Sequence, residues 1–482
     1  MSFDLPKGWT SQSIENAMEA IIDYRGKTPK KSDSGIPLIT AKIVKSGRLE
    51  TPTEFIPEED YDAWMVRGLP QAGDVVLTTE APLGEVAQLD DANVALAQRI
   101  VTLRGKPDLL VNDYLKYLLQ SHAVQQQLDA RGSGSTVKGI KQSELRKVVL
   151  SLPPIAQQRS IAGTLKSLDD KITLNTQTNQ TLEQMAQALF KSWFVDFDPV
   201  IDNALDSGFF EREFAGEGIP EPLAKRVAIR QALREAAGAD TDASAIGRLP
   251  PETRALFPDS FEEHPELGWI PKGWGVESLE SMTSEIIDHR GKTPKKLGGD
   301  WSLSGYPAIS AKNIKGGRIV QPDTIRFVDE DLYKKWMKVP LEKGDLVVTS
   351  EAPLGEVYYL SGKHDYLLSQ RLYGMRANPE ICTGSFLYFW LQTGFAKADI
   401  EGRATGTTVV GIRQVELRKV KVLAPNKCIV DLFDKQASLL LEKIEQNQES
   451  IYTLSNLRDT LLPKLLSGEL TLPEVEVEQD SI

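Results

Sequence analysis

Residues 23–31, Asp-Tyr-Arg-Gly-Lys-Thr-Pro-Lys-Lys, return at 288–296 with a single change, His289 for Tyr24. The echo continues in order. Pro6-Lys7-Gly8-Trp9 matches Pro271-Lys272-Gly273-Trp274, and the Glu-Ala-Pro-Leu-Gly-Glu-Val run at 80–86 matches that at 351–357. Gln98-Arg99 matches Gln370-Arg371, and residues 134–141 match 406–413. The offset drifts only from 265 to 272, so a few short insertions separate two copies of one domain. A repeat this long is a duplicated domain and not a solenoid unit of about 20–50 residues. Two copies imply two similar sites, and hence a ligand that is extended or itself symmetric.

Each copy opens on Gly-Trp and continues in short segments bounded by Gly and Pro. Val75–Thr78 and Leu346–Thr349 read as strands after Gly-Asp, and Asp113–Leu119 and Ser385–Leu391 read as helices. Each copy is therefore expected to be a compact mixed α/β domain. After each copy a proline break precedes a long helical pattern. Ile161, Leu165, Leu168, Ile172, Asn175, Asn179, Leu182, Ala186, Leu189 and Trp193 follow an unbroken 4-3 spacing. Phe433, Ala437, Leu440, Ile444, Asn447, Ile451, Leu454, Arg458, Leu461 and Leu465 repeat it at a constant offset of 272. This is the seam of a coiled coil, in helices of about 55 Å at 1.5 Å per residue. The expected architecture is two globular domains separated by two long helices that pair as an antiparallel coiled coil about a pseudo-twofold axis. Asn175 and Asn447 sit at equivalent seam positions near mid-helix and are expected to meet and fix register. The expected boundaries are 1–152 and 265–424 for the repeated domains and 153–195 and 425–468 for the helices. A connector at 196–264, with a helix at 222–237, and a tail at 469–482 complete the chain.

No apolar run reaches the ~18 residues of a membrane span, and the first residues lack a signal-peptide pattern. Only Cys382 and Cys428 are present. A disulfide framework is excluded and a cytoplasmic location is expected. The net charge of −12 disguises a segregated distribution. Residues 196–266 hold 16 acidic against seven basic residues, and 469–482 add five acids, leaving the remainder slightly positive. Within it, residues 23–48 and 288–318 each carry seven Lys/Arg and two Asp. The candidate anion contacts are Arg25, Lys27, Lys30, Lys31, Lys42 and Lys45 in the first copy. Arg290, Lys292, Lys295, Lys296, Lys312 and Lys315 are those of the second. Residues 131–147 and 403–421 each add five bases against one acid. Bases clustered at matched places in both copies are what phosphate-backbone binding needs.

Catalytic and metal motifs are missing. Gly26-Lys27-Thr28 resembles the end of a P-loop, but the required upstream glycine is Ile21, and Ile286 in the second copy. Asp198-Pro199-Val200 lacks the Asp/Asn-Pro-Pro-aromatic site of amino-methyltransferases, and no Gly-rich S-adenosylmethionine motif follows a strand. Four scattered histidines offer no ligand spacing. The chain reads as a binder, not an enzyme. Arg reads guanine edges and Gln adenine edges, while Lys chiefly positions on phosphates. Gln98, Arg99, Gln370 and Arg371 are thus the candidates for base contact; the alternative is that Gln-Arg braces a loop. Lys138, Lys141 and Arg413 stand in Gly-rich turns that let the backbone approach a phosphate. Lys138 matches Val410, so the sites are not identical.

The chain as a whole resembles the DNA specificity subunit of type I restriction–modification systems. The resemblance rests on Asp23–Pro29 and Asp288–Pro294, on Pro153–Gln158 and Leu189–Phe197 bounding the first helix, and on Leu461–Leu470 ending the second. Pro425-Asn426-Lys427-Cys428 departs from the pattern at the start of the second helix. The resemblance implies two target-recognition domains, each reading half of a bipartite duplex DNA sequence, with the helices as a ruler. It implies as partners two modification subunits that methylate adenine and restriction/translocase subunits. S-adenosylmethionine, ATP and magnesium would sit on those partners and none in this chain. The likeness of the copies implies related half-sites in inverted orientation. The rival reading is a non-catalytic coiled-coil scaffold that binds protein or RNA.

Overall fold

The structure is a computed structural model that describes residues 5–134, 137–216, 218–237, 248–289, 291–362 and 364–472. It divides into two units, Met1–Thr176 with Glu449–Ile482, and Gln177–Gln448. Each unit thus holds one copy of the repeat and half of each long helix.

In the first unit a four-stranded antiparallel sheet runs in the order Met18–Asp23, Ile100–Gly105, Val75–Thr79, Leu83–Gln88. Val75–Thr79 is buried at every residue, because both faces are covered. Val75 and Leu77 join the core of the helices Asn112–Gln120 and His122–Arg131, while Val76 joins a second core. That second core lies under the small sheet Phe55–Ile56, Ile36–Ile39, Ala95–Leu96. Alternation along a strand with a two-residue period thereby serves two cores at once. Ser121 ends the first of the two helices and caps the second, its hydroxyl accepting from the Val124 amide.

The second unit repeats this plan: Thr283–Asp288, Leu372–Ala377, Leu346–Ser350, Leu354–Tyr359 form its main sheet. Leu346 and Val348 enter one core and Val347 the other. Thr393 takes the capping role ahead of Gly394–Arg403.

The long helices are Ile155–Phe194 and Lys427–Ser467. Within each unit they run antiparallel. In the first, Ile161 and Leu165 share a core with Leu465 and Leu466, and Arg458 Nη1 meets Asp169 Oδ1 at 2.9 Å. In the second, buried Phe433 contacts Phe190, Trp193 and Phe194 at ring-centroid distances of 5.6, 6.3 and 5.3 Å. Truncating such an anchor to Ala costs about 3–5 kcal/mol. The second helix ends at Gly468, whose φ is +75°. A Cβ there would lie 2.7 Å from Pro6 Cγ and 3.3 Å from the Trp9 ring, so only glycine fits.

The expected meeting of Asn175 with Asn447 is corrected. Asn447 donates instead to Asn179 Oδ1, and Asn175 donates to Ser450 Oγ at 3.1 Å. The reason is geometric. A 4-3 seam alternates two kinds of position, and antiparallel helices set one kind against the other. Asn175 and Asn447 are of the same kind, so each faces the partner helix a step away.

The degraded helix start is explained by exchange of one anchor for another. In the first copy buried Gln158 accepts from the Val111 amide and donates to the carbonyls of Leu109 and Pro153, all at 2.9 Å. At the same offset the second copy has Val430, fully buried in the apolar core with Cys382. Packing there replaces the three hydrogen bonds.

The segment read as a connector folds into the second unit. Helices at Asp198–Ser207 and Glu221–Ala237 lie in it. Phe197, Phe209, Phe210, Phe257 and Phe261 join the same core as Phe433 and Trp274. Two of its acids are held by arginines: Arg230 holds buried Asp202 at 2.5 Å, and Asp206 binds Arg234, Arg248 and Arg254.

Candidate nucleic-acid interface

Four stretches that are distant in sequence converge in each repeat. The first is the turn after the leading strand. In the first copy Asp23 Oδ1 accepts from the Arg25 amide at 2.9 Å, and its carboxylate grips Arg25 Nε at 2.9 Å. Arg25 Nη1 then donates to the Ile140 carbonyl at 2.6 Å, tying this turn to the Gly-rich turn over a hundred residues on. Arg67 braces it from the other side, donating to the carbonyls of Asp23 and Arg25 at 3.1 and 2.7 Å. Arg25 is thus a structural brace as well as a cation. Buried Pro29 closes the turn and leaves Lys27, Lys30 and Lys31 exposed.

The Gly-rich turn returns to the sheet through Gly139, which bridges both Glu80 and Ser133, and the Ile140 amide donates to the Thr79 carbonyl at 2.9 Å. The second copy repeats the arrangement: Gly411 bridges Glu351 and Thr405, and the Ile412 amide donates to Ser350 at 2.9 Å. These glycines leave little room for a side chain. A Cβ on Gly139 would lie 3.1 Å from Glu80 Cβ, and one on Gly411 3.0 Å from Glu351 Cβ.

Against this bridge stands the Gln-Arg pair. Arg99 and Arg371 have φ of +75° and +70°, a left-handed backbone that few non-glycine residues adopt. Their carbonyls are fixed by the amides of Thr79 (2.8 Å) and Ser350 (2.9 Å). Their side chains pair with the bridging glutamates: Arg99 Nε lies 2.9 Å from Glu80 Oε1 and Arg371 Nε 2.7 Å from Glu351 Oε1. Strained backbone kept at matched places in both copies points to a positional demand. Gln98 Nε2 reaches Thr28 Oγ1 of the first turn at 3.3 Å. In the second copy Gly291, Ser350, Glu351, Gln370, Arg371, Thr405, Gly411, Ile412 and Arg413 line one open cleft of about 370 Å³.

The remaining candidates fall around this centre. Lys141 and Arg413 are exposed and stand just before the short helices Gln142–Leu145 and Gln414–Leu417. Lys138 pairs with Asp129 and Lys31 with Glu54. Lys42 and Lys45 flank a separate hairpin, paired with Glu54 and Glu50, and Lys312 and Lys315 are exposed on its counterpart. Glu85 and Glu356 hold these hairpins by accepting from the Ser46 and Gly316 amides at 2.7 Å. Arg290 lies outside the described residues. Lys295 and Lys296 are exposed, the latter donating to the Gly291 carbonyl.

Lys292 differs from its counterpart Lys27. Its ammonium turns inward, donating to the Trp336 carbonyl at 2.9 Å and lying 3.1 Å from His289 Nδ1. Where Tyr24 spans to the Gly68 carbonyl and accepts from the Arg67 amide, the shorter His289 leaves room for this amine. Burial lowers the Lys292 pKa, and burial with the Lys292 charge lowers that of His289 to about 4.

Glu80 and Glu351 are missed by a search for basic clusters. Their signal was present in the repeated Glu-Ala-Pro-Leu-Gly-Glu-Val run.

No helix among the described residues is long and apolar enough to cross a membrane. A family model, the type I restriction modification DNA specificity domain, matches residues 6–184 and again 271–451, together about three quarters of the chain. The chain is 26% identical over 395 residues to the type I restriction enzyme HindI specificity subunit of Haemophilus influenzae, covering 78% of this chain and 82% of that one. It is 24% identical over 489 residues to the MjaIX specificity subunit of Methanocaldococcus jannaschii, covering 98% and 95%. The type I restriction–modification S subunit from M. genitalium superposes with a TM-score of 0.57 over 96% of this chain and 97% of that one at 14% identity, a likeness of fold. The chain therefore belongs to the type I restriction–modification DNA specificity family, as a non-catalytic specificity subunit that serves DNA target recognition.

Proposed function

We propose that this chain reads a bipartite duplex DNA target and thereby directs the adenine-methylating and restriction subunits of a type I complex. Each repeat reads one half-site. Gln98-Arg99 and Gln370-Arg371 approach base edges, while exposed lysines and Arg413 position on phosphates. The long helices set the spacing between half-sites. The observation that carries this reading is the matched convergence of four distant stretches on a Gln-Arg pair in both repeats. Two modification subunits and restriction/translocase subunits supply S-adenosylmethionine, ATP and magnesium chemistry in the cytoplasm, and this chain contributes none of it.

The test is methylome sequencing of a host that expresses the chain with its methyltransferase, against a deletion of the chain. A bipartite adenine-methylated motif that vanishes on deletion is the expected result. An unchanged methylome would refute the reading in favour of a scaffold.

A further inference from the structure

The Arg99–Glu80 and Arg371–Glu351 pairs are built alike to a degree that a chance surface ion pair is not. Each arginine has a fixed, left-handed backbone and a carbonyl locked to the edge of the central strand. Each glutamate is seated against a glycine whose Cβ, if it had one, would lie 3.1 or 3.0 Å from the glutamate Cβ. The shortest contact is at Nε in both, 2.9 and 2.7 Å. Among the described residues neither arginine donates a hydrogen bond from its terminal amino groups, and both side chains are 53% exposed. The pairing is an ion pair by distance, without a directed hydrogen bond from Nε, and a guanidinium that meets its carboxylate on the Nε side leaves Nη1 and Nη2 as a planar fork. That fork matches the O6 and N7 acceptors of guanine in the major groove. No other base edge there offers two adjacent acceptors.

We propose that Glu80 and Glu351 are positioning residues that aim the terminal edges of Arg99 and Arg371 at a guanine, one in each half-site. This rests on the duplex-reading function above and deepens it by naming the base and the atoms. A half-exposed ion pair contributes little by itself in water. Its weight rises when the duplex excludes solvent from the site, as the local dielectric falls. The charge on the carboxylate also disfavours Arg99 or Arg371 settling on a phosphate, since the same site would bring a phosphate up to the glutamate.

The complex of the chain with its methyltransferase partner tests this in two ways. Methylomes are read for the wild type, Glu80→Gln, Glu351→Gln, Arg99→Lys and Arg371→Lys. The expected result is a guanine in each wild-type half-site whose preference is relaxed by the variants of one repeat only, the other half-site serving as the internal control. Binding of the wild-type complex is then measured on duplexes carrying 7-deazaguanine at each such position. Loss of N7 should weaken binding by about ten- to hundredfold. A chain-dependent motif without a guanine in one half-site, or variants that lower methylation with the motif unchanged, would overturn the proposal and leave DNA reading intact. Unweakened binding to the 7-deazaguanine duplex would do the same. A methylome that does not depend on the chain at all would overturn both.

Discussion

Asn447 donates to Asn179 Oδ1 at 2.9 Å in the second unit, and Asn179 donates onward to the Ile444 carbonyl at 3.0 Å. Both side chains are buried. The pair therefore fixes which turn of one helix faces which turn of the other, as a polar seam residue does in a coiled coil. Asn447→Leu leaves the Asn179 oxygen buried without a partner, at a cost of about 1–3 kcal/mol. Replacing both residues by Leu removes the orphan and should recover most of that loss. Thermal unfolding of the two single variants and the double variant checks this, and additive losses would show that the amides do not act as a pair.

Asp169 carries the corresponding electrostatic contact of the first unit. Burial opposes its charge, yet the hydrogen bonds from Arg458 (2.9 Å) and Tyr117 (2.8 Å) and the nearby Lys116 outweigh it and hold the carboxyl below its usual range. A depressed pKa means that the unfolded chain takes up the proton first. The stabilisation is complete above the ordinary carboxylate value of about 4 and is lost as pH falls through the lower folded value. Melting temperatures measured from pH 6 downward should fall less steeply below about pH 4 in Asp169→Asn than in the wild type. Parallel curves would refute the assignment.

The duplication and the paired helices were legible because they rest on repeated residues and on a regular apolar period. Other features depended on three-dimensional company. The acidic segment after Phe194 read as a connector because its charge balance hides how its charges are spent. Asp206 alone is surrounded by three arginines, and five phenylalanines spread over 65 residues meet only in the fold. Basic clusters marked segments that converge in each repeat but not the Arg–Glu pairs at which they meet. Lys27 turns outward beside Tyr24, whereas Lys292 turns inward beside His289, a difference visible only in the fold.

His289 makes the two repeats respond differently to acid. It is 6% exposed, its Nδ1 faces the Lys292 ammonium, and among the described residues its Nε2 has no partner. Burial first, and Lys292 second, lower its pKa from 6.5 to about 4. The unfolded chain binds the proton at higher pH, so stability is complete above about pH 6.5 and declines until pH reaches about 4. The loss amounts to at most about 3 kcal/mol. His289→Gln, which cannot titrate, should flatten this limb while leaving the one below pH 4 in place. The imidazole titration followed by NMR checks the same point directly, and a midpoint near 6.5 would refute it.

Gly139 and Gly411 separate the structural from the functional role of the bridge. An Ala at either position places a Cβ 3.1 or 3.0 Å from the glutamate Cβ, and 3.3 or 3.0 Å from the carbonyl of Thr79 or Ser350. The glutamate Cβ and the strand carbonyl crowd the new methyl together, so the bridge must shift by a few tenths of an ångström. Such overpacking costs about 1–3 kcal/mol, which leaves a domain of this size folded. If the bridge seats Glu80 for Arg99, Gly139→Ala should relax the guanine preference of one half-site and leave the other unchanged, and Gly411→Ala should do the reverse. Methylome sequencing of the two variants reads both half-sites in one experiment. A fall in melting temperature with both half-sites still strictly read would show that the bridge supports the fold alone, and that Arg99 and Arg371 find their bases without it.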